Sequence, residues 1–303
     1  MVGDRVPPTH NHAASRNLHP ISVQSPTMTG PIVLVTGSTD GIGKATAREL
    51  IAGGAEVIIH GRDQDKGARV TREIEKETGR RGLDFITADL SLQKNVIRLA
   101  EQVSSRYERL DVLINNAGTF EQTRRLTPDR VEMTFAVNYL APFLLTRHLL
   151  PLLKKSAPTR VVNVASIAHR DVRNIDWENL MGEKGYNPYD AYALSKFADI
   201  TFTYTLARKI SATGITVNCL HPGVVDTKML REGFPGIRGK PPSEGAETSV
   251  FLARSPEVEG LTGMYFEESH GPGRSSSLTH DREVQERLWR VADDLTGLGE
   301  RGI

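Results

Sequence analysis

The 303 residues carry 38 basic against 37 acidic side chains, a near-balance that argues against holding nucleic acid or an anionic membrane through bulk charge. A hydrophobic content of 38% with 25% charge is that of an ordinary globular chain, long enough for one large α/β domain. No apolar stretch approaches the roughly 20 residues that span a bilayer, so neither a membrane anchor nor a secretory signal is expected, and a cytoplasmic location follows.

Residues 1–30 hold Pro7, Pro8, Pro20 and Pro26, with His10, His12 and His19 and little apolar periodicity. They read as a disordered extension. Histidines without a neighbouring Cys or carboxylate cluster do not make a metal site, and no metal is expected. From residue 31 the pattern changes. The apolar run 32–35 suits a parallel strand buried on both faces. A glycine turn follows, then a helix through Ala45, Ala47, Leu50 and Ile51 that stops at Gly53 and Gly54. Residues 57–59 predict the second strand, 66–78 a charged helix, and 85–88 a third strand ending at Asp89. A helix through Val96, Leu99 and Val103 leads to a strand at 112–114. A long helical region spans about 128–153, with Pro142 inside it as the expected kink. Strand 160–164, helix 189–212 and strand 216–220 come next. The glycine-containing loop 228–242 carries Met229, Leu230, Phe234, Pro235 and Ile237, and is expected to close over an apolar substrate. Helix 244–252, strand 263–266 and a helical spacing of Val284, Leu288, Val291 and Leu295 complete the chain. Strands alternating with helices imply a doubly wound parallel sheet, a Rossmann fold, in one α/β domain over 31–303. The single cysteine, Cys219, excludes an intrachain disulfide and reads as a buried thiol in the strand 216–220.

The turn Thr36-Gly37-Ser38-Thr39-Asp40-Gly41-Ile42-Gly43 joins a strand to a helix. Glycines there let the backbone approach a pyrophosphate, and the helix N-terminus offers N–H groups and a positive dipole end. A carboxylate after the second strand holds the ribose diol of NAD, whereas a cation accommodates the 2′-phosphate of NADP. His60, Gly61 and Arg62 come first, so NADP(H) is preferred with Arg62 on the phosphate. Asp63 takes the diol role, with NAD(H), if the strand ends later. Asp89 orients the adenine amine or caps the segment from Ser91.

Tyr192 and Lys196 are four residues apart on a predicted helix, hence on one face. A tyrosine ordinarily holds its proton to a pH of about 10. A neighbouring ammonium is expected to lower that value and make Tyr192 a general acid/base.

Taken in order, these motifs resemble the short-chain dehydrogenase/reductase family over residues 31 to about 270. Thr36 to Gly43 matches its Thr-Gly-x-x-x-Gly-x-Gly, and Asn115-Asn116-Ala117-Gly118 its Asn-Asn-Ala-Gly element. Tyr192 and Lys196 match Tyr-x-x-x-Lys, and Pro222-Gly223 followed by Thr227 the nicotinamide loop. The resemblance implies a catalytic set of Asn138, Ser166, Tyr192 and Lys196. It implies cofactor contacts from Gly37, Ser38, Asp40, Gly41, Ile42, Gly43, Arg62, Asp89, Leu90, Asn116, Ala117, Gly118, Pro222, Gly223, Val225 and Thr227, besides Tyr192 and Lys196. Asn138 would place a water linking Lys196 to solvent.

Leu220-His221-Pro222-Gly223, Ala191 to Lys196, Ser255 to Gly260 and the long stretch from Ser166 to Tyr192 resemble the retinol-dehydrogenase-like branch, whose members often use NADP(H) on apolar carbonyls. The implied reaction moves hydride between NADP(H) and an apolar aldehyde or ketone, or back from the alcohol. Trp177 and Tyr186 are expected to add an aromatic wall, and Trp289 to sit in the core. Family members often pair through the helix bearing Tyr and Lys, so a homodimer or homotetramer is a further expectation. Two competing readings are a non-catalytic NADP-binding redox sensor, which would not need all four catalytic residues, and a sugar-nucleotide epimerase or dehydratase, which would carry a larger C-terminal region.

Overall fold

The computed structural model describes residues 1–3, 30–268 and 271–299; most of the N-terminal extension lies outside the described residues. Seven strands form one parallel sheet in the order β3-β2-β1-β4-β5-β6-β7. They are β1 (Ile32–Val35), β2 (Glu56–Gly61), β3 (Phe85–Thr87), β4 (Val112–Asn115), β5 (Thr159–Val164), β6 (Ile215–Leu220) and β7 (Tyr265–Phe266). Strand side chains alternate between two cores. Ile32, Leu34, Ile58, Leu113 and Val161 face one side, packed by α3 (Gln93–Arg106), α5 (Ala141–Lys155) and α6 (Pro188–Lys209). Val33, Val35, Ile59, Ile114 and Val162 face the other, packed by α1 (Gly41–Ala52), α2 (Gln64–Thr78) and α8 (Pro242–Arg254). Burial on both faces explains why the strands read as continuous apolar runs. The strand order reverses between β1 and β4, so the turns leaving these two strands flank one crevice.

Two predicted elements differ. The helical region starts at Met133, not near 128, because Glu132 caps it with a bond from the Phe135 N–H at 2.8 Å. After the short α4 (Met133–Phe135) comes a π-helical turn, Ala136–Leu140, and then α5. The irregularity is therefore this turn and not Pro142, which lies in the first turn of α5 where its missing N–H costs nothing. The loop expected at 228–242 contains a short helix, α7 (Lys228–Gly233), capped by Thr227. A parallel bridge between Val225 and Lys240 closes its base.

Helix α9 (Arg282–Thr296) lies across α6. Trp289 meets Phe143 edge-on at 4.9 Å and Phe202 at 6.0 Å between centroids, and the Tyr139 hydroxyl donates to the Leu288 carbonyl at 2.9 Å. The buried Arg147 guanidinium sits 5.3 Å from the Trp289 ring and pairs with Asp293 at 2.9 Å. With α9 in place, α6 is buried almost all round, which accounts for its lack of a polar stripe. Among the described residues no helix is long and apolar enough to cross a membrane.

Candidate active site

The glycine turn is built by what touches it. Gly37 and Gly41 have φ of +66° and +49°, a region that favours glycine. A β-carbon on Gly43 would stand 2.3 Å from Asn116 Nδ2 and 2.4 Å from the Gly37 carbonyl oxygen, so this position too must be bare. The Thr36 hydroxyl accepts from the N–H groups of Asn116 and Ala117 at 3.0 and 3.1 Å, and Asn116 Nδ2 donates to the Thr36 carbonyl at 2.9 Å. These bonds lock the turns after β1 and β4 together. Ile42 and Val225 both pack where a side chain on Gly245 would be, and the Thr227 methyl lies against Gly41. The nicotinamide loop and the glycine turn thus form one surface.

Several expected cofactor contacts have other duties. The Ser38 hydroxyl is fully buried; it donates to the Val35 carbonyl at 2.7 Å and accepts from the His60 N–H at 2.9 Å. Asp40 caps α1 through the Gly41 N–H at 2.8 Å and pairs with Lys66. Leu90 is packed in the core. Asp89 accepts from the Ser91 N–H at 3.0 Å, the capping alternative. Strand β2 runs through Gly61, and Asp63 caps α2 by accepting from the Lys66 N–H at 2.9 Å. Arg62 stands exposed just past the strand and forms no ion pair among the described residues. His60 gave little signal in the sequence. Its Nδ1 accepts from the Gly37 N–H at 3.1 Å, so the ring proton is on Nε2, directed to the Ala88 carbonyl at 3.2 Å. Burial holds its pKa down to about 4, with the Ala88 carbonyl and Asp89 opposing, and the neutral ring ties the glycine turn to the segment after β3.

The four catalytic candidates converge. Ser166 ends the segment after β5; its hydroxyl accepts from the Ala168 N–H at 3.2 Å and lies close enough to the Tyr192 phenol to lower its pKa. Tyr192 and Lys196 lie one turn apart on α6. A β-carbon on Gly118 would lie 3.3 Å from Asn138 Oδ1 and 3.7 Å from Lys196 Nζ, so β4's turn, the π-turn and α6 meet there. Asn138 is buried in the π-turn. Its Nδ2 donates to the Thr119 carbonyl and Ser195 Oγ, both at 3.0 Å, and its Oδ1 accepts from the Thr119 N–H at 2.7 Å. Both amide N–H groups and one lone pair of Oδ1 are taken by protein partners, so Asn138 ties the Thr119 backbone to α6. Ser195, not singled out in the sequence, completes the link by donating to the Tyr192 carbonyl at 2.7 Å.

The expected lowering of Tyr192 by Lys196 is not what this geometry gives. Burial pushes the Tyr192 hydroxyl above its ordinary value, with the Ser166 hydroxyl opposing. Lys196 Nζ donates to the Val164 carbonyl at 2.7 Å, and burial lowers its own pKa, with Asp199 opposing.

The aromatic wall pairs Phe234, from the loop expected to cover the substrate, with Phe120, which was not singled out in the sequence. Phe120, after β4, has its ring centroid 5.6 Å from that of Tyr192 and 4.8 Å from Phe234, which follows α7. Phe234 also meets Tyr192 and Tyr189 edge-on, at 6.2 and 6.1 Å. Gln122 Nε2 donates to the Glu232 carbonyl at 2.8 Å and fastens α7 over this cluster. Trp177 instead lies under the Arg287 guanidinium at 4.0 Å. Tyr186 donates to the Glu121 carbonyl at 3.0 Å and lines a cavity of about 470 Å³ with Asp190, Ala191 and Leu194, a cavity that Tyr192 does not line. Neither forms the wall beside Tyr192.

Residues 31–237 match the family model described as short chain dehydrogenase. The chain belongs to the short chain dehydrogenase family. It is 40% identical to retinol dehydrogenase 11 of Homo sapiens over 277 residues, covering 89% of this chain and 86% of that relative. Identity to retinol dehydrogenase 12 of Bos taurus is 39%, over 89% and 87% of the two chains. Among solved structures, a short chain dehydrogenase from Shigella flexneri 2a str. 301 complexed with NADP aligns with a TM-score of 0.66 at 30% identity, over 79% of this chain and 97% of that one. A protein from Mycobacterium paratuberculosis aligns with a TM-score of 0.73 at 29% identity, over 88% and 93%. The short chain dehydrogenase described here is accordingly an NAD(P)-dependent oxidoreductase. Its crevice fits such a cofactor: a twelve-residue helix with no acid in its first turn opens at bare glycines, and an exposed cation follows β2.

Proposed function

We propose that this protein interconverts an apolar aldehyde or ketone and its alcohol with NADP(H), Tyr192 acting as the general acid/base. The observation that carries the reading is the convergence of Ser166, Tyr192 and Lys196 beside the crevice between β1 and β4, under an aromatic wall. The bound nicotinamide would supply or accept the hydride. Glycines 37, 41 and 43, with the N-terminus of α1, would hold the pyrophosphate, and Pro222, Gly223, Val225 and Thr227 the nicotinamide side. Ser166 and Tyr192 would orient the substrate oxygen, and Tyr192 would give its proton to that oxygen. Lys196 would bind the nicotinamide ribose. Phe120 and Phe234 exclude water from the reacting carbonyl.

Preference for NADP(H) rests on Arg62, which is exposed and has no ion-pair partner among the described residues, while Asp63 is committed to capping α2. Arg62→Ala is expected to weaken NADPH binding roughly ten-fold or more, as loss of a charge-assisted bond does, and to leave NADH binding nearly unchanged. Fluorescence titration with both cofactors checks this; equal loss for the two would remove Arg62 from the phosphate site.

The substrate class is tested by initial rates of NADPH oxidation with a graded series of polar and apolar aldehydes and ketones. The retinol dehydrogenase relatives make a long polyene aldehyde one member of that series. Phe234→Ala should raise KM for the apolar members by roughly ten-fold with a smaller change in kcat, because the ring contributes binding more than chemistry. A faster polar than apolar series in the wild type would contradict the substrate class. Homodimers or homotetramers joined through α6 would have to displace α9, which already covers that helix.

A further inference from the structure

One buried ionisable group near the site has no part in the mechanism above. Asp199 lies on α6 one turn beyond Lys196 and is 1% exposed. Its Oδ1 is buried and makes no hydrogen bond. The groups facing it are few. Lys196 acts on it from its own helix, Tyr139 faces it from the π-turn, and Cys219 from β6. Burial pushes both the Tyr139 hydroxyl and the Cys219 thiol far up, so both are neutral and neither balances a carboxylate. Lys196 is therefore the cation acting on Asp199, and Asp199 the anion acting on Lys196. They do not touch: the Lys196 ammonium, 4% exposed, is bonded to the Val164 carbonyl at 2.7 Å, and the two form no ion pair. A carboxyl held in the interior with an oxygen left without a hydrogen bond destabilises the fold, and an apolar residue of similar size would not. Its cost, together with its place beside the catalytic lysine, points to a role in the site.

We propose that Asp199 is a positioning residue for the catalytic machinery: a buried carboxylate one turn along α6, with its Oδ1 unbonded, whose charge keeps Lys196 an ammonium. The inference rests on the role given to Lys196 above. Burial drives the Asp199 carboxyl up to about 7, with Lys196 opposing, so it gains its charge across neutral pH. Its support for the ammonium is thus present on the alkaline side, where a buried lysine would otherwise lose its proton.

Asp199→Asn keeps the shape and removes the charge. In the full-length variant the alkaline limb of the pH profile of kcat/KM for carbonyl reduction should move down by roughly 1 unit, with NADPH affinity near neutral pH little changed. A superimposable profile would overturn the proposal. Thermal melts across pH give a readout that does not need turnover. The folded carboxyl binds its proton more tightly than the unfolded one, so the wild type loses stability as pH rises from about 4 toward 7. The variant lacks this loss, and its Tm should rise relative to wild type over that range. A pH-independent Tm difference would show that Asp199 bears no buried titrating charge and would overturn the proposal without any assay of activity. Absence of turnover in the wild type would contradict the oxidoreductase reading, leaving the melts to decide whether Asp199 titrates as described.

Discussion

Tyr192→Phe should lower kcat for carbonyl reduction by at least about 100-fold, and up to 10⁴-fold, while NADPH binds nearly as before. The substitution removes one oxygen from a half-buried phenol beside the Ser166 hydroxyl. The ring stays, and with it the contacts to Phe120 and Phe234. The α6 backbone stays too, because Ser195 holds the Tyr192 carbonyl and not its side chain. What is lost is the group proposed to give the proton to the substrate oxygen. Stopped-flow binding of NADPH and steady-state rates on the same preparation separate the two effects. Burial places the Tyr192 phenol above its ordinary value, so the group is protonated at neutral pH and ready as the acid of the reductive direction. Retained turnover in the variant would assign the proton transfer elsewhere.

Trp289→Ala should destabilise the fold by about 3–5 kcal/mol, the range for a buried aromatic cut back to a methyl. For a chain of this size that corresponds to a Tm lower by roughly 10 °C. The cost is high because Trp289 is packed on several sides. Phe143 loses an edge contact and Phe202 a tilted one, and Arg147 and Lys209 lose the ring face at 5.3 and 5.2 Å. The Arg147 guanidinium, paired with Asp293, would then border a cavity. Below the melting transition the variant should turn over normally, since none of these groups reaches Tyr192 or the glycine turn. A melt like that of the wild type would mean that α9 does not cover α6 as described.

Much of the fold was legible because parallel strands buried on both faces write themselves as apolar runs, and because glycines at positive φ mark the turn after β1. Tyr192 and Lys196 were legible because four residues on a helix make one face. The π-turn at Asn138 was not, since it keeps the apolar pattern of a helix and Pro142 drew the irregularity to itself. Phe120 and Phe234 lie far apart in sequence and meet only when α7 folds back over the turn after β4, a contact that no local spacing records. The end of β2 was not written in the sequence; the pairing of Gly61 with Thr87 places it at Gly61, just before Arg62 and Asp63. The ionisation of the site is not written in the spacing: sequence shows that Lys196 is near Tyr192 but not how far each is taken from water, and burial raises the phenol while it lowers the amine.

The most direct test of the account is a titration of the purified protein with NADPH and NADH, followed on the same sample by NADPH oxidation against apolar aldehydes and ketones. Tighter binding of NADPH together with turnover of an apolar carbonyl is the expected result. Tight NADPH binding without turnover across a broad panel would contradict it and favour a cofactor-sensing protein that keeps the fold and the four residues without using them.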